Sequence, residues 1–129
     1  MSTPRLPATL ALVAWTFLVW TTRINNIVAD DSLDSGETAA RLALSLSFTV
    51  LVVAVGWAYS KRAAWLRPAT FALAGWTTAV WAVRAVGIAF ADHDAAFIAV
   101  HLVLAVVSVA IAGLAVRELR AAPSPNPRQ

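Results

Sequence analysis

Two arginines lie inside long apolar stretches of this chain, and their chemistry is the easiest to define. Arg23 belongs to the run AWTFLVWTTRINNI, and Arg84 belongs to the run GWTTAVWAVRAVGI. Both runs contain the pattern W-T-x-x-V-W-x-x-R-x-x-x-I. A guanidinium group presents a planar fork of donors that suits a phosphate or a carboxylate. One hypothesis is therefore that Arg23 and Arg84 together bind an amphiphilic anion.

Two structural roles compete with an anion site at these arginines. Each arginine lies eight residues before an aspartate, Asp31 or Asp92, which is about 12 Å along a helix. An arginine this close to the membrane boundary can extend its side chain to the headgroups. Alternatively, reciprocal ion pairs between Arg23 and Asp92 and between Arg84 and Asp31 would join the two copies. The sequence leaves the three interpretations open.

Four tryptophans in the same pattern lie near the middle of the apolar stretches rather than at their ends. A buried indole needs an acceptor for its N–H group, and Ser45 is one of the hydroxyl groups that could supply it. The rings either fill the centre of a helical bundle or line a cavity for an apolar ligand. These residues are Trp15, Trp20, Trp76 and Trp81.

His101 is the one histidine inside an apolar stretch, and we include it with the arginines in the anion-site hypothesis. Its alternative role is that of a hydrogen-bonded structural residue. Haem ligation by two histidines would need a second copy of the chain. In the motif Asp92-His93-Asp94, three adjacent side chains cannot easily converge on one metal ion. The chain has no cysteine, which excludes thiolate chemistry and disulfides. We predict no catalytic residue, no metal and no cofactor.

The composition indicates that membrane helices must position these residues. Sixty per cent of the 129 residues are hydrophobic and 13% are charged, whereas a soluble domain has about 25% charged residues. A helix needs about 20 apolar residues to cross the hydrocarbon core. Four stretches are long enough, and the tail from 121 to 129 is Pro-rich and predicted to be disordered. The predicted spans are about 7–28, 39–59, 69–91 and 95–116, with an acidic loop over 29–38.

The first and third spans are copies of one another. Residues 7–31 and 68–92 are identical at twelve of 25 positions, including Trp15/Trp76, Trp20/Trp81 and Arg23/Arg84. The second and fourth spans align only weakly, with a shift of 57 that pairs Gly56 with Gly113. The predicted fold is an all-α integral membrane protein, a four-transmembrane-helix bundle of two tandem helical hairpins in parallel topology. The repeats cover 1–62 and 63–120.

Charge is segregated along the chain, which predicts an orientation in the membrane. Basic residues accumulate on the cytoplasmic side of membrane proteins. The N-terminus, the second loop and the C-terminus hold Arg5, Lys61, Arg62, Arg67, Arg117, Arg120 and Arg128. The other two loops hold Asp30, Asp31, Asp34, Glu37, Asp92 and Asp94. We therefore expect both termini in the cytoplasm of a cell whose Ala-rich, Arg-over-Lys composition is typical of bacteria.

Three classes of function are compatible with these patterns. The first is a non-catalytic accessory or assembly subunit of a larger membrane complex in the plasma membrane. The second is a binder or carrier of an amphiphilic anion, held by Arg23 and Arg84 over a Trp-lined cavity. The third is a His-dependent membrane enzyme or redox protein. The expected partners are membrane lipids and another membrane protein or a second copy. Nucleic acid is not expected, because the basic rim suits anionic lipid.

Overall fold

The protein is all-helical in the computed structural model, which describes residues 6–122. Its four helices are α1 (Pro7–Ala29), α2 (Ser35–Lys61), α3 (Leu66–Phe90) and α4 (Ala95–Ala121). All four are long and apolar enough to cross a membrane. The prediction of four apolar helices is confirmed. Most of the predicted tail, from 123 to 129, lies outside the described residues.

The helices are longer than the spans predicted from hydropathy. The predicted acidic loop over 29–38 is wrong in its second half, because α2 begins at Ser35. Asp34 caps this helix, and its carboxylate accepts a hydrogen bond from the Glu37 N–H group at 2.7 Å. Glu37 also places a negative charge in the first turn, where the helix dipole favours it. At the other end of the chain, α4 continues beyond 116 to Ala121.

The described chain forms two compact units. One unit is Val13–Leu73, which holds most of α1, all of α2 and the first turns of α3. The other unit combines the chain up to Leu12 with the chain from Ala74 onward, and so holds the start of α1, most of α3 and all of α4. Helices α1 and α3 therefore each begin in one unit and continue in the other.

The unit Val13–Leu73 is organised around an aromatic pair. The Trp20 and Phe48 rings are stacked, with 4.1 Å between their centroids and 7° between their planes. Phe48 is fully buried, as are Ser45 and Val55 on the same helix. Stacked aromatic pairs contribute about 0.5–1.5 kcal/mol beyond the area that they bury. This pair fixes the face that α2 presents to α1.

In the other unit, α4 buries mainly small residues. Its buried side chains recur at helical spacing, three or four residues apart, which allows close approach of helix backbones in a membrane. They are Ala105, Ser108, Ala112, Ala115 and Leu119.

A carboxylate near the end of α4 caps the start of α1 within this same unit. One Glu118 oxygen accepts from the Ala8 N–H group at 3.0 Å, and the other accepts from the Thr9 N–H and hydroxyl groups at 3.0 Å each. The first N–H groups of a helix have no partner inside the helix, and they carry its positive dipole end. Glu118 thus satisfies α1 with a negative charge and ties the first helix to the last.

Matched positions of α1 and α3 are buried alike. Thr9 and Thr70 are both fully buried, Leu12 and Leu73 are both fully buried, and three further identical pairs are buried in both helices. The arginines Arg23 and Arg84 are both half-buried. Five of the twelve recurring pairs are thus buried in both helices, whereas Pro7/Pro68, Ala11/Ala72 and Asp31/Asp92 are exposed in both. The other buried pairs are Thr16/Thr77, Trp20/Trp81 and Ile27/Ile88.

With a shift of 60, instead of the 57 expected from the glycines, α2 and α4 begin and end at corresponding positions. Both are 27 residues long, and both begin after an aspartate cap, Asp34 or Asp94. Each cap accepts from the N–H group three residues later at 2.7 Å. Under the shift of 57, half-buried Gly56 would match exposed Gly113. The caps and the helix lengths decide the register, whereas the glycines do not, because neither lies at a close helix contact.

The start of α3 lacks the carboxylate cap that α1 has. Position 58, which matches Glu118 under the shift of 60, is Ala58. The α3 helix instead begins two residues before its matched proline, and the Ala69 N–H group donates to the Trp65 carbonyl oxygen at 3.0 Å. Among the described residues, the buried Thr70 hydroxyl has no hydrogen-bond partner.

We expect the substitution Glu118→Gln to destabilise the protein by about 1–3 kcal/mol, because it weakens three hydrogen bonds to one charged group. Thermal unfolding in detergent or nanodiscs measures this. The control is Glu37→Gln, which removes an exposed carboxylate and should change stability by less than about 0.5 kcal/mol. Equal melting curves for Glu118→Gln and the unmodified protein would show that this cap contributes nothing.

We expect the matched substitutions Thr9→Val and Thr70→Val to have different effects. Thr9→Val removes a hydroxyl that donates to Glu118 and should cost about 1 kcal/mol. Thr70→Val removes a buried hydroxyl without a described partner and should be neutral or stabilising. The same unfolding assay compares them, and an equal loss for both variants would contradict the asymmetry of the two helix starts.

Candidate functional site

Arg84 lies on α3, one helical turn after Trp81. Its guanidinium carbon is 6.0 Å from the centroid of the Trp81 ring, at the outer limit of a cation–π contact. Trp81 is 4% exposed, so the ring provides a fixed surface beside the charge. The structure thus brings together two of the predicted site residues, one for the anion and one for the cavity.

Arg23 occupies the matched place on α1, in the unit Val13–Leu73. It is half-buried, three residues after the buried Trp20. The repeated spacing Trp-x-x-Arg therefore puts each arginine one turn beyond a buried indole ring. The anion site at Arg23 and Arg84 stays a prediction.

The four tryptophans divide into two kinds. Trp20 and Trp81 are buried, at 3% and 4% exposure, whereas Trp76 is 40% exposed and Trp15 is half-buried. Trp20 packs against Phe48, a residue that the sequence reasoning did not connect with it. The second tryptophan of each pattern is thus the core residue, and the first lies nearer the surface.

Ser45, predicted as a hydroxyl partner for the indoles, bonds to its own helix. Its hydroxyl donates to the Arg41 carbonyl oxygen at 2.9 Å, four residues earlier. Thr49 does the same to the Ser45 carbonyl oxygen at 3.2 Å. Such bonds satisfy a buried hydroxyl locally. A hydroxyl oxygen can still accept a further hydrogen bond, so the described bond leaves Ser45 with acceptor capacity.

His101 is held by its own helix and by an aromatic ring. Its Nδ1 lies 2.8 Å from the Phe97 carbonyl oxygen. A carbonyl oxygen only accepts, so Nδ1 carries the hydrogen and Nε2 is the acceptor in the neutral ring. The ring also stacks on Phe97, with 3.9 Å between centroids. This arrangement fixes the tautomer, as the structural interpretation of His101 requires, and leaves Nε2 directed away from that bond.

The motif Asp92-His93-Asp94 builds the start of α4. Asp94 is the cap that accepts from the Phe97 N–H group, and the His93 ring stacks on Phe97 at 4.3 Å. Within residues 6–122, no group of three or more histidines and carboxylates is placed to hold a metal ion. Two of the three side chains in this motif thus have a local structural role.

Asp31 and Asp92, the predicted ion-pair partners, are exposed just beyond the ends of α1 and α3. The reciprocal pairs with the arginines stay a prediction. The neighbouring Asp30 closes the turn instead, because its carboxylate accepts from the Ser32 hydroxyl and N–H groups. These hydrogen bonds lower the pKa of Asp30 below its ordinary value. The turn is therefore stabilised above the ordinary pKa of an aspartate, and this contribution is lost as the pH falls through the lowered value.

Glu118 is the residue that the sequence reasoning missed. The feature that could have revealed Glu118 was its negative charge in an unusual place. The other six acidic residues lie in the acidic loops, whereas Glu118 lies in the basic segment RELR. Glu118 therefore departs from the charge pattern of the segment between Arg117 and Arg120. The structure shows that its carboxylate meets the N-terminal end of α1. Arg41 was also missed: it matches His101 under the shift of 60, seven residues after each cap.

The turn between α2 and α3 holds three cations, two of them over aromatic rings. The Lys61 ammonium nitrogen is 5.1 Å from the Trp57 ring centroid, and the Arg67 guanidinium carbon is 5.6 Å from that of Phe71. Arg62, the third cation, caps α2 in the left-handed conformation at a φ of 53°. Exposed aromatic rings and cations are common where helices meet lipid headgroups.

Comparison of the chain with known protein families, with curated proteins and with solved structures finds no match. The site is therefore interpreted from its own geometry.

We expect the neutral imidazole of His101 to carry its hydrogen on Nδ1 rather than on Nε2, because Nδ1 lies beside the Phe97 carbonyl oxygen. The measurement is nitrogen NMR on protein labelled at histidine, in which the two ring nitrogens of each tautomer have distinct shifts. His101→Asn should preserve the bond to the Phe97 carbonyl oxygen, since an amide N–H group can take the place of Nδ1–H. Signals of the opposite tautomer would contradict this bond.

Proposed function

We propose that this chain is a small non-catalytic subunit that binds other membrane proteins through the sides of its helices. The observation that carries the proposal is that acidic and histidine side chains form hydrogen bonds within the helical framework. Glu118 caps α1, Asp94 caps α4, and His101 bonds to Phe97. The residues best suited to acid–base chemistry thus have structural partners, whereas long helix faces remain exposed.

The size of those faces supports the proposal. Only 17% of the most apolar 18-residue segment of α4 is buried. The largest buried share among the corresponding segments of the four helices is 33%, in α3. The connections between helices are short, so little chain outside the helices is available for recognition. A protein of this design contacts its surroundings mainly through lipid and through the helices of partners.

The proposal includes an orientation with both ends of the chain in the cytoplasm of a plasma membrane. Lys61, Arg62 and Arg67 cluster between α2 and α3, and Arg117 and Arg120 lie at the end of α4. The acidic turns, Asp30–Asp34 and Asp92–Asp94, connect the opposite helix ends. This separation follows the positive-inside rule.

The proposal also includes an origin by duplication of a two-helix hairpin. Equal burial of Thr9 and Thr70 and of Leu12 and Leu73 supports it, as do the matched caps Asp34 and Asp94. An even number of spans in each unit would give both copies the same orientation.

The second candidate function is binding of an amphiphilic anion by Arg23 and Arg84. The specific observation in its favour is the Arg84 guanidinium beside the buried Trp81 ring. An aromatic surface limits the motion of a guanidinium and lowers the entropy lost on binding an anion. A phospholipid headgroup or a carboxylate with an apolar tail has the matching chemistry.

Native mass spectrometry of the protein, extracted gently from its own membranes, distinguishes the two functions. We expect a complex with a stoichiometric protein partner whose mass is unchanged by Arg84→Gln. Arg23→Gln serves as the matched variant in the other copy. Arg84→Lys keeps the charge and removes the fork, so it separates a bidentate site from a general effect of charge.

Each outcome decides between the candidates. A small acidic molecule that is bound by the unmodified protein and lost in Arg84→Gln would favour the anion binder. A protein partner with no such molecule would favour the accessory subunit. A chain that is always recovered alone, without partner or small molecule, would contradict both functions.

A further inference from the structure

The exposed face of α1 contains hydrogen-bonding residues in the last three turns of the helix. Five exposed residues, four and three apart, form a stripe that we call the α1 stripe: Ala14, Leu18, Thr21, Asn25 and Val28. Asn25 lies four residues before the end of α1, and Thr21 lies eight before it, or about 6 and 12 Å along the helix. The neighbouring Thr22 and Asn26 are also exposed.

The matched stripe on α3 lacks these groups. Its five residues are equally exposed and entirely apolar: Gly75, Ala79, Ala82, Val86 and Ala89. Thr21 corresponds to Ala82, and Asn25 corresponds to Val86. Since α3 folds with the apolar pair, the helix itself does not require the polar one. The threonine and the asparagine on α1 therefore need another explanation.

The spacing of the α1 stripe fits a second helix lying along it. Alternating steps of three and four residues keep a seam facing one partner along its length. Small residues such as Ala14 allow close approach, and an amide or hydroxyl can hydrogen-bond across the contact. Among the described residues, neither the Thr21 hydroxyl nor the Asn25 amide forms a hydrogen bond within the chain, so both remain available to such a helix.

We propose that the α1 stripe is a dimerisation seam and that its occupant is α1 of a second copy of this chain. Copies inserted in the same orientation meet in parallel across a two-fold axis, so each residue faces its own counterpart at the same depth. An amide both donates and accepts, as does a hydroxyl. Asn25 and Thr21 can therefore each pair with the identical group, which no charged side chain could do. The seam goes beyond the proposed function, which does not require self-association.

The absence of native cysteine allows a direct test by disulfide cross-linking in native membranes. Single cysteines are introduced as Leu18→Cys and Val28→Cys on α1, and as Ala79→Cys and Ala89→Cys at the matched positions of α3. We expect oxidation to give a product of twice the 13.7 kDa chain mass from the α1 variants. The α3 variants should give little of this product.

The polar pair is tested by transferring the α3 residues to α1. In the Leu18→Cys background, Thr21→Ala with Asn25→Val should lower dimer yield about tenfold, because two interhelical hydrogen bonds are lost. The fold should survive, since α3 carries the same residues, and thermal unfolding checks this. The reciprocal control, Ala82→Thr with Val86→Asn in the Ala79→Cys background, should raise cross-linking through α3.

Three results would overturn the seam. Equal yields from α1 and α3 cysteines would indicate random collision, and an unchanged yield after the double substitution would remove the role of Thr21 and Asn25. A cross-linked product of another mass would assign the stripe to a different protein. That last result would favour the accessory function while rejecting the second copy, so the two proposals fail separately.

Discussion

Backbone hydrogen bonding in apolar surroundings is the constraint on which this structure depends. In the proposed membrane setting an unpaired N–H or C=O group would cost several kcal/mol, and residues 6–122 are helical nearly throughout. The remaining cost falls at the helix ends, where the first N–H groups have no partner in the helix. The carboxylates of Asp34, Asp94 and Glu118 accept hydrogen bonds from such N–H groups at the starts of α2, α4 and α1, respectively. For α3, the helix extends two residues before Pro68, and the Ala69 N–H group donates to the Trp65 carbonyl oxygen.

The caps also set the register of the two halves. Asp34 and Asp94 lie 60 residues apart and start helices of equal length, although the residues that follow them differ. Two helices that begin at corresponding positions and have the same number of residues per turn bury side chains at corresponding positions. Equal burial at Ser45 and Ala105, and at Val55 and Ala115, follows from this. Such a pattern tolerates large changes in sequence as long as side-chain volumes are compensated nearby.

The departures from the pattern are the places where function is best sought. Glu118 exists in one half alone, and it binds the start of α1. Thr21 and Asn25 on α1 correspond in sequence to apolar residues on α3, and they lie on the surface rather than in the core. Arg23 and Arg84 are shared by both halves, so their role belongs to the common design. Under the proposed duplication, the shared residues would build the helical unit, and the residues present in one copy would serve the proposed additional contact.

The sequence by itself determined the four helices, because hydrophobic length and low charge require them. The repeated pattern also contains buried residues of α1 and α3, such as Leu12 and Leu73, although other recurring residues are exposed. Only the tertiary structure decided that Glu118 meets Ala8 and Thr9 and that Trp20 stacks on Phe48. Those contacts join residues far apart in the chain, and apolar segments of similar composition carry no local signal of their partner. The start of α2 was readable in Asp34-Ser35-Gly36-Glu37, a capping pattern that hydropathy alone obscures.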